Sequence, residues 1–271
     1  MARSTPSIRL FITVYKNTRF LKKVLDSVAQ QTYTNFKVSV LEDGDSIEMA
    51  EFIKNIHYSF SIEHHTQEDL GFRKNKILNV GLRNATEDLI VFIDGDCILH
   101  PSYLSTYAKY YDSNTVLFAK RTNLDETTSK QLLETTTIVP SKWKMLRNGS
   151  TRIEDSVRLP FKPIFTTNKP RLLGCNMAIP LTILTSINGF DEDYEMTGYG
   201  EDCDIEWRIL KAGYIFKNLK YHSIQFHLYH ERPEREDQTA ISRAMYHSKI
   251  AEGNYYCKNG LEKTNYMTKN K

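Results

Sequence analysis

The sequence has no run of about 18 uninterrupted apolar residues, which excludes a helix that crosses a membrane. It has no surplus of one charge. Its 36 Lys and Arg against 33 Asp and Glu leave +3 in 271 residues, too little to argue for nucleic acid, and no such partner is expected. Cysteine is scarce. The four present (Cys97, Cys175, Cys203 and Cys257) include no C-x-x-C pair, which argues against a zinc ribbon and a disulfide scaffold. Reduced thiols in a cytoplasmic protein are expected instead. Met1 to Ser7 carries no positively charged, apolar and small-residue series, so no secretory leader is expected. There is no internal repeat. The chain is 40% hydrophobic and 25% charged, the balance of a globular protein large enough for a substantial core.

The first 120 residues alternate strand and helix signals. Ile8 to Tyr15 is β-branched and aromatic, and Asn17 to Gln30 places Phe20, Leu21, Val24, Leu25 and Val28 at helical spacing. Strands are expected at Phe36 to Leu41 and Ser61 to His65, and helices at Ile47 to Ile56 and Lys74 to Leu82. Leu89 to Ile93 is five apolar residues in a row, the pattern of a strand buried on both faces of a parallel sheet. Pro101 to Tyr111 reads as a helix with Pro near its first position. This order predicts an α/β fold, a mostly parallel, Rossmann-like sheet flanked by helices. Ligands of such sheets lie beyond the carboxyl ends of the strands.

Residues 123–170 lose the rhythm and read as a functional loop region suited to acceptor or partner contacts. Structure resumes at Leu172 to Ile179. Glu201 to Ala212 reads as a helix, Tyr214 to Phe216 and Ser223 to Leu228 as strands, and Glu236 to Tyr256 as an amphipathic helix before a mobile basic tail from Lys258.

Four constellations carry possible chemistry. In Asp94-Gly95-Asp96, two carboxylates end the buried strand and repel one another unless a cation lies between them. Mg²⁺ or Mn²⁺ shared with substrate phosphates answers that need, a solvated turn being the alternative. Gly200-Glu201-Asp202-Cys203-Asp204 opens a helix, where acidic residues suit the dipole. The flexible Gly198-Tyr199-Gly200 ahead of it also allows a general base to face a bound hydroxyl. His227 and His230 are three apart, so in a continuing strand they face opposite sides, and both meet one metal only if the strand ends there. Gly71-Phe72-Arg73-Lys74-Asn75-Lys76 puts three cations at a helix start, against the dipole, which points to an anion such as diphosphate or else to a solvated basic face.

Together, GFRKNKILNVGL (71–82), LIVFIDGDCILHPSY (89–103), INGFDEDYEMTGYGEDCDIEWRI (187–209) and HLYHERPER (227–235) resemble family-2 glycosyltransferases of the GT-A fold. The last two are similar to the carboxyl-terminal half of β-1,4-galactosyltransferases and bacterial chondroitin-type polymerases. The resemblance implies a nucleotide-sugar, usually UDP-linked, across the carboxyl ends of the first strands. Val14 and Tyr15 would line the nucleotide, and Asp43 would accept from the base. Phe72, Arg73, Lys74 and Lys76 would contact uracil and diphosphate. Asp94, with Gly95 beside it, would touch ribose and metal, and Asp96 would be a direct metal ligand. His230 matches the downstream metal ligand, with His227 in reserve. Gly174, Asn176 and Met177 fall at the donor-sugar pocket. Asp202 matches the catalytic base, Glu201 would hold a sugar, and Tyr199 replaces an aromatic often Trp in relatives.

The reaction so implied is inverting, Mn²⁺- or Mg²⁺-dependent transfer of a hexose or N-acetylhexosamine to a glycan or lipid-linked glycan acceptor, in bacterial surface polysaccharide or lipopolysaccharide synthesis. The expected organisation is a nucleotide-sugar half (1–122), an acceptor and catalytic half (123–235), and a C-terminal helix with a basic tail (236–271) that allows peripheral contact with anionic membrane. Two alternatives are a haloacid-dehalogenase-type phosphohydrolase, which also uses D-x-D, and a catalytically silent sugar-nucleotide-binding protein.

Overall fold

The computed structural model describes residues 5–231 and 236–263. The end of the 227–235 motif and the tail beyond 263 lie outside the described residues. In chain order the elements are β1 (Ile8–Val14), α1 (Thr18–Val28), β2 (Phe36–Glu42), α2 (Ile47–Asn55), β3 (Ile62–Thr66), α3 (Lys74–Arg83), β4 (Leu89–Asp94), β5 (Cys97–Leu99), α4 (Tyr103–Tyr110), β6 (Thr115–Phe118), β7 (Thr122–Asn123), α5 (Glu126–Leu133), α6 (Lys142–Asn148), a 3₁₀ turn (Ile153–Ser156), β8 (Met177–Pro180), α7 (Leu181–Ser186), α8 (Asp202–Lys211), β9 (Ile215–Asn218), β10 (Gln225–His227) and α9 (Glu236–Glu252). Seven strands form one sheet in the order β3-β2-β1-β4-β8-β6-β9. It is mostly parallel, as expected. β8 alone runs against both neighbours, β4 and β6. A second sheet, β5-β10-β7, stands beside it.

The run from Leu89 to Ile93 is apolar throughout because both its faces are covered. Leu89, Val91 and Ile93 join the core beneath α1, α2 and α4, with Leu10 and Ile12 of β1. Ile90 and Phe92 face the opposite core, with Phe11, Ile77 and Leu78 of α3 and Ile205 and Ile209 of α8. Burying each such side chain stabilises the fold by roughly 1.5–3 kcal/mol. Helix starts are set by short polar side chains. Asn17 accepts from the Phe20 amide at 2.9 Å and Ser46 from the Met49 amide at 3.0 Å.

Several expectations need correction. Pro101 precedes α4 by two residues rather than opening it. Residues 123–170 contain two helices. α5 turns Thr128, Ser129 and Leu132 inward, a face with too few apolar residues to produce a helical period. β5, β6, β7 and α7 were not legible, being two to six residues long. α9 is not amphipathic, since Ser242 is its one buried residue among those described.

Candidate active site

β1 and β4 run side by side, so Asp94 and Asp96 emerge at the carboxyl edge of the sheet. Gly95 makes the turn by lying on β1. Its amide donates to the Thr13 carbonyl at 2.7 Å, and a Cβ would come within 3.1 Å of Val14 Cγ2. Val14 is therefore packed under the turn.

Asp96 faces both histidines. His227 Nε2 and His230 Nε2 lie 3.2 and 3.1 Å from its Oδ2. This resolves the spacing problem. β10 ends at His227, the Leu228 amide donates to the Asp96 carbonyl at 2.9 Å, and the chain turns so that His230 returns to the same carboxylate. β10 pairs with β5 with His227 opposite Cys97, which ties the histidines to the residue after Asp96. The ligand atoms of the three side chains all lie within 4.8 Å of one another. Burial alone would raise the Asp96 pKa. The two imidazoles set against it, His227 first, outweigh that and hold the carboxyl well below its usual range.

His230 tests whether this trio fits a metal. Its Nδ1 lies 2.9 Å from the Glu231 carbonyl oxygen, which only accepts, so Nδ1 carries the proton. In a neutral ring Nε2 then presents a lone pair to the Asp96 carboxylate, acceptor against acceptor. A second proton or a bound cation removes that conflict. A ligating histidine characteristically donates its other nitrogen to a carbonyl, so the donor set fits a divalent ion.

Asp94 has different company. Its Oδ1 accepts from Lys74 Nζ at 2.7 Å and Thr13 Oγ1 at 2.9 Å, and Arg121 Nη1 lies 3.7 Å from Oδ2. Lys74 also reaches Glu201 at 3.0 Å. The carboxylates that compensate the basic start of α3 thus come from β4 and α8. Asp43 adds a third, accepting from the Arg73 amide at 2.8 Å and from Gln67 Nε2 at 2.5 Å. Lys76, in the same first turn of α3, is exposed.

Glu201 is the N-cap of α8 and Asp202 its first residue. Burial raises the Glu201 carboxyl to about 7, against the pull of Lys74. Gly174 makes room for it, because a Cβ there would fall inside the contact shell of Glu201 Oε1. Tyr199 rests on α9. Its ring lies 5.4 Å from that of Tyr246 and its amide donates to Ser242 Oγ at 3.2 Å. Lys249 of α9 bridges Asp191 and Asp193 at 2.5 and 2.7 Å, so α9 braces the loop ahead of Glu201 from both ends.

Tyr15 is exposed, with Lys16 over its ring, and Phe72 is half-buried. Two expectations fail. Asn176 is fully buried, accepting from Tyr103 and Tyr107 and donating to the Lys120 carbonyl. Met177 opens β8 inside the core. Their side chains brace the site from below and do not line a sugar pocket. Arg121 and Thr13 were missed. Thr13 sits inside the first apolar run, and Arg121 lies three residues beyond the unrecognised strand β6 with no motif to mark it.

The sequence profile described as "Glycosyltransferase like family 2" matches residues 6–240. Among characterised relatives, the chain is similar to the chondroitin synthase of Escherichia coli, 24% identical over 254 residues, covering 86% of this chain and 36% of that protein. It therefore spans about a third of that relative. The fold is similar to mannosyltransferase PcManGT from Pyrobaculum calidifontis in complex with GDP-Man and Mn²⁺, with a TM-score of 0.63 at 15% identity, covering 92% of this chain and 65% of that one. It is also similar to GalNAc-T7 with UDP, GalNAc and Mn²⁺, with a TM-score of 0.67 at 14% identity over 93% of this chain and 50% of that one.

Proposed function

The chain belongs to glycosyltransferase family 2 and has the GT-A fold, and from that premise we propose that it moves a hexose or N-acetylhexosamine from a UDP-sugar to a hydroxyl of a glycan acceptor, with inversion. The phosphohydrolase alternative does not survive the family match. One observation carries the proposal. Lys74, Asp94, Asp96, Glu201, His227 and His230, drawn from four separate stretches, meet at the carboxyl edge of one sheet, with Asp202 next to Glu201.

Asp202 removes the proton of the acceptor hydroxyl. That oxygen bonds to the anomeric carbon as the bond from that carbon to the diphosphate oxygen breaks on the opposite face, and UDP leaves with the electron pair. Glu201, with a pKa of about 7, can donate to or accept from a sugar hydroxyl near neutral pH. Lys74 stands beside Asp94, where the diphosphate end of the donor lies. Asp96, His227 and His230 would hold a divalent ion, which would supply further positive charge to the leaving group. Two imidazoles favour Mn²⁺ over Mg²⁺, which prefers oxygen ligands. Asp43 and Tyr15, at the ends of β2 and β1, line the nucleoside side. The similarity to chondroitin synthase supports a place in bacterial surface polysaccharide synthesis, with a free or lipid-linked glycan as acceptor. No helix of the described residues is long and apolar enough to cross a membrane.

The test is a panel of UDP- and GDP-sugars with Mn²⁺, Mg²⁺ or chelator, read by thermal stabilisation and nucleotide release. One UDP-sugar should stabilise the protein and slowly release UDP in a Mn²⁺-dependent way. A protein indifferent to every sugar-nucleotide would overturn the proposal.

A further inference from the structure

Asp94, Cys97 and Cys175 offer an oxygen and two sulfurs within 4.8 Å of one another, which on paper is a second metal site beside the Asp96–histidine trio. The space is already taken. Arg121 Nη1 lies 2.9 Å from Cys175 Sγ, 3.9 Å from Cys97 Sγ and 3.7 Å from Asp94 Oδ2. A guanidinium there repels any ion, so the triad holds an arginine and not a metal.

Arg9 and Arg208, two of the three buried arginines, contrast with this one, while the third, Arg73, also leaves its Nε without a partner. Arg9 forks onto both oxygens of Glu87 at 2.9 and 3.0 Å and reaches Glu63 at 2.6 Å. Arg208 bonds Asp204 at 2.7 Å and the carbonyls of Ile187 and Gly189 at 2.9 and 2.8 Å. Both are neutralised by protein. The Arg121 side chain is 15% exposed, yet its close partners are thiols, weak acceptors without charge, and its carboxylate lies beyond hydrogen-bond range. Among the described residues, Nε and Nη2 meet no acceptor at all. Withdrawing a cation from water against partners this weak is costly unless an anion completes the set. The guanidinium fork matches phosphate oxygens in pairs.

We propose that Arg121 is a resident cation of the donor site, standing where a second metal ion would stand and binding the diphosphate end of the donor. The proposal rests on the nucleotide-sugar reading above. It gives the site three sources of positive charge: Lys74 committed to two carboxylates, Arg121 paired only at longer range with Asp94, and an ion that Asp96 would hold. Arg121 binds with or without that ion.

Titration of UDP and UMP into the protein in chelator, by calorimetry, separates the possibilities. The wild type should prefer UDP. Arg121→Met should lower UDP affinity about tenfold and UMP affinity less, so the preference shrinks, while Arg121→Lys keeps part of it. Asp96→Asn should lose the gain that Mn²⁺ adds. Retained UMP binding by Arg121→Met shows that the variant is folded. An unchanged UDP-to-UMP ratio in Arg121→Met would overturn the role of Arg121 while leaving the donor reading standing. A wild type that binds neither UDP nor GDP, with or without Mn²⁺, would overturn the donor reading and this proposal with it.

Discussion

Asp94 and Asp96 are separated by one glycine, yet the two sides of the crevice they open onto are built on different principles. Asp94 meets Lys74, Thr13 and Arg121, groups whose charge or hydrogen-bonding role is fixed across the ordinary pH range. Asp96 meets two imidazoles, side chains of the kind that binds metal ions. One side carries fixed cations among its carboxylates. The other carries none and would gain positive charge with a bound ion. Two like charges at the end of one strand are thus stabilised twice, by different chemistry, and only the second kind can be switched by conditions.

The largest predicted effect removes what both sides serve. Asp202→Asn should cost about 10²–10⁴-fold in kcat with an unchanged circular dichroism spectrum, and a folded variant with full turnover would remove Asp202 from the role of base. Next is the metal side. Asp96→Asn should abolish the thermal stabilisation by Mn²⁺, worth about 2.7 kcal/mol at a hundredfold excess over Kd, whereas Lys74→Met should retain it. Equal losses in both variants would erase the distinction between the two sides. Gly174→Ala forces a methyl group against Glu201 and should cost about 1–3 kcal/mol of stability together with activity, measured by denaturant unfolding and turnover. The smallest effect concerns pH. Glu201 is raised from 4.5 to about 7 in the folded state, so folding favours its protonated form. Stability from this group is complete below about pH 4.5 and is lost as pH rises through 7. Glu201→Gln should flatten the melting temperature between those limits, and an unchanged slope would show that the carboxyl does not titrate there.

The parallel half of the fold was legible because its strands and helices carry their period in consecutive residues. β1, α1, β2, α2, β3, α3 and β4 were all expected within two residues of where they lie. The aspartates were legible for the same reason, since an apolar run that stops at Asp94 is a local signal. Arg121 was not, because nothing in the sequence says that the side chain three residues past a four-residue strand meets Asp94. Asn176 and Met177 misled because position beside Gly174 does not say which way a side chain turns. In a strand entering the core both turned inward. The helix α5 escaped notice because threonine and serine fill its inner face.

The pairing of β10 with β5 has a consequence in time as well as in space. Asp96 leaves the ribosome early, with the parallel strands that can begin to fold around it, while His227 and His230 follow only after the intervening helices have been made. Contacts this distant in sequence form late. The trio of Asp96, His227 and His230 therefore does not exist on a nascent chain that lacks β10, and metal capture by these three residues would report that the crevice has been assembled from both of its ends.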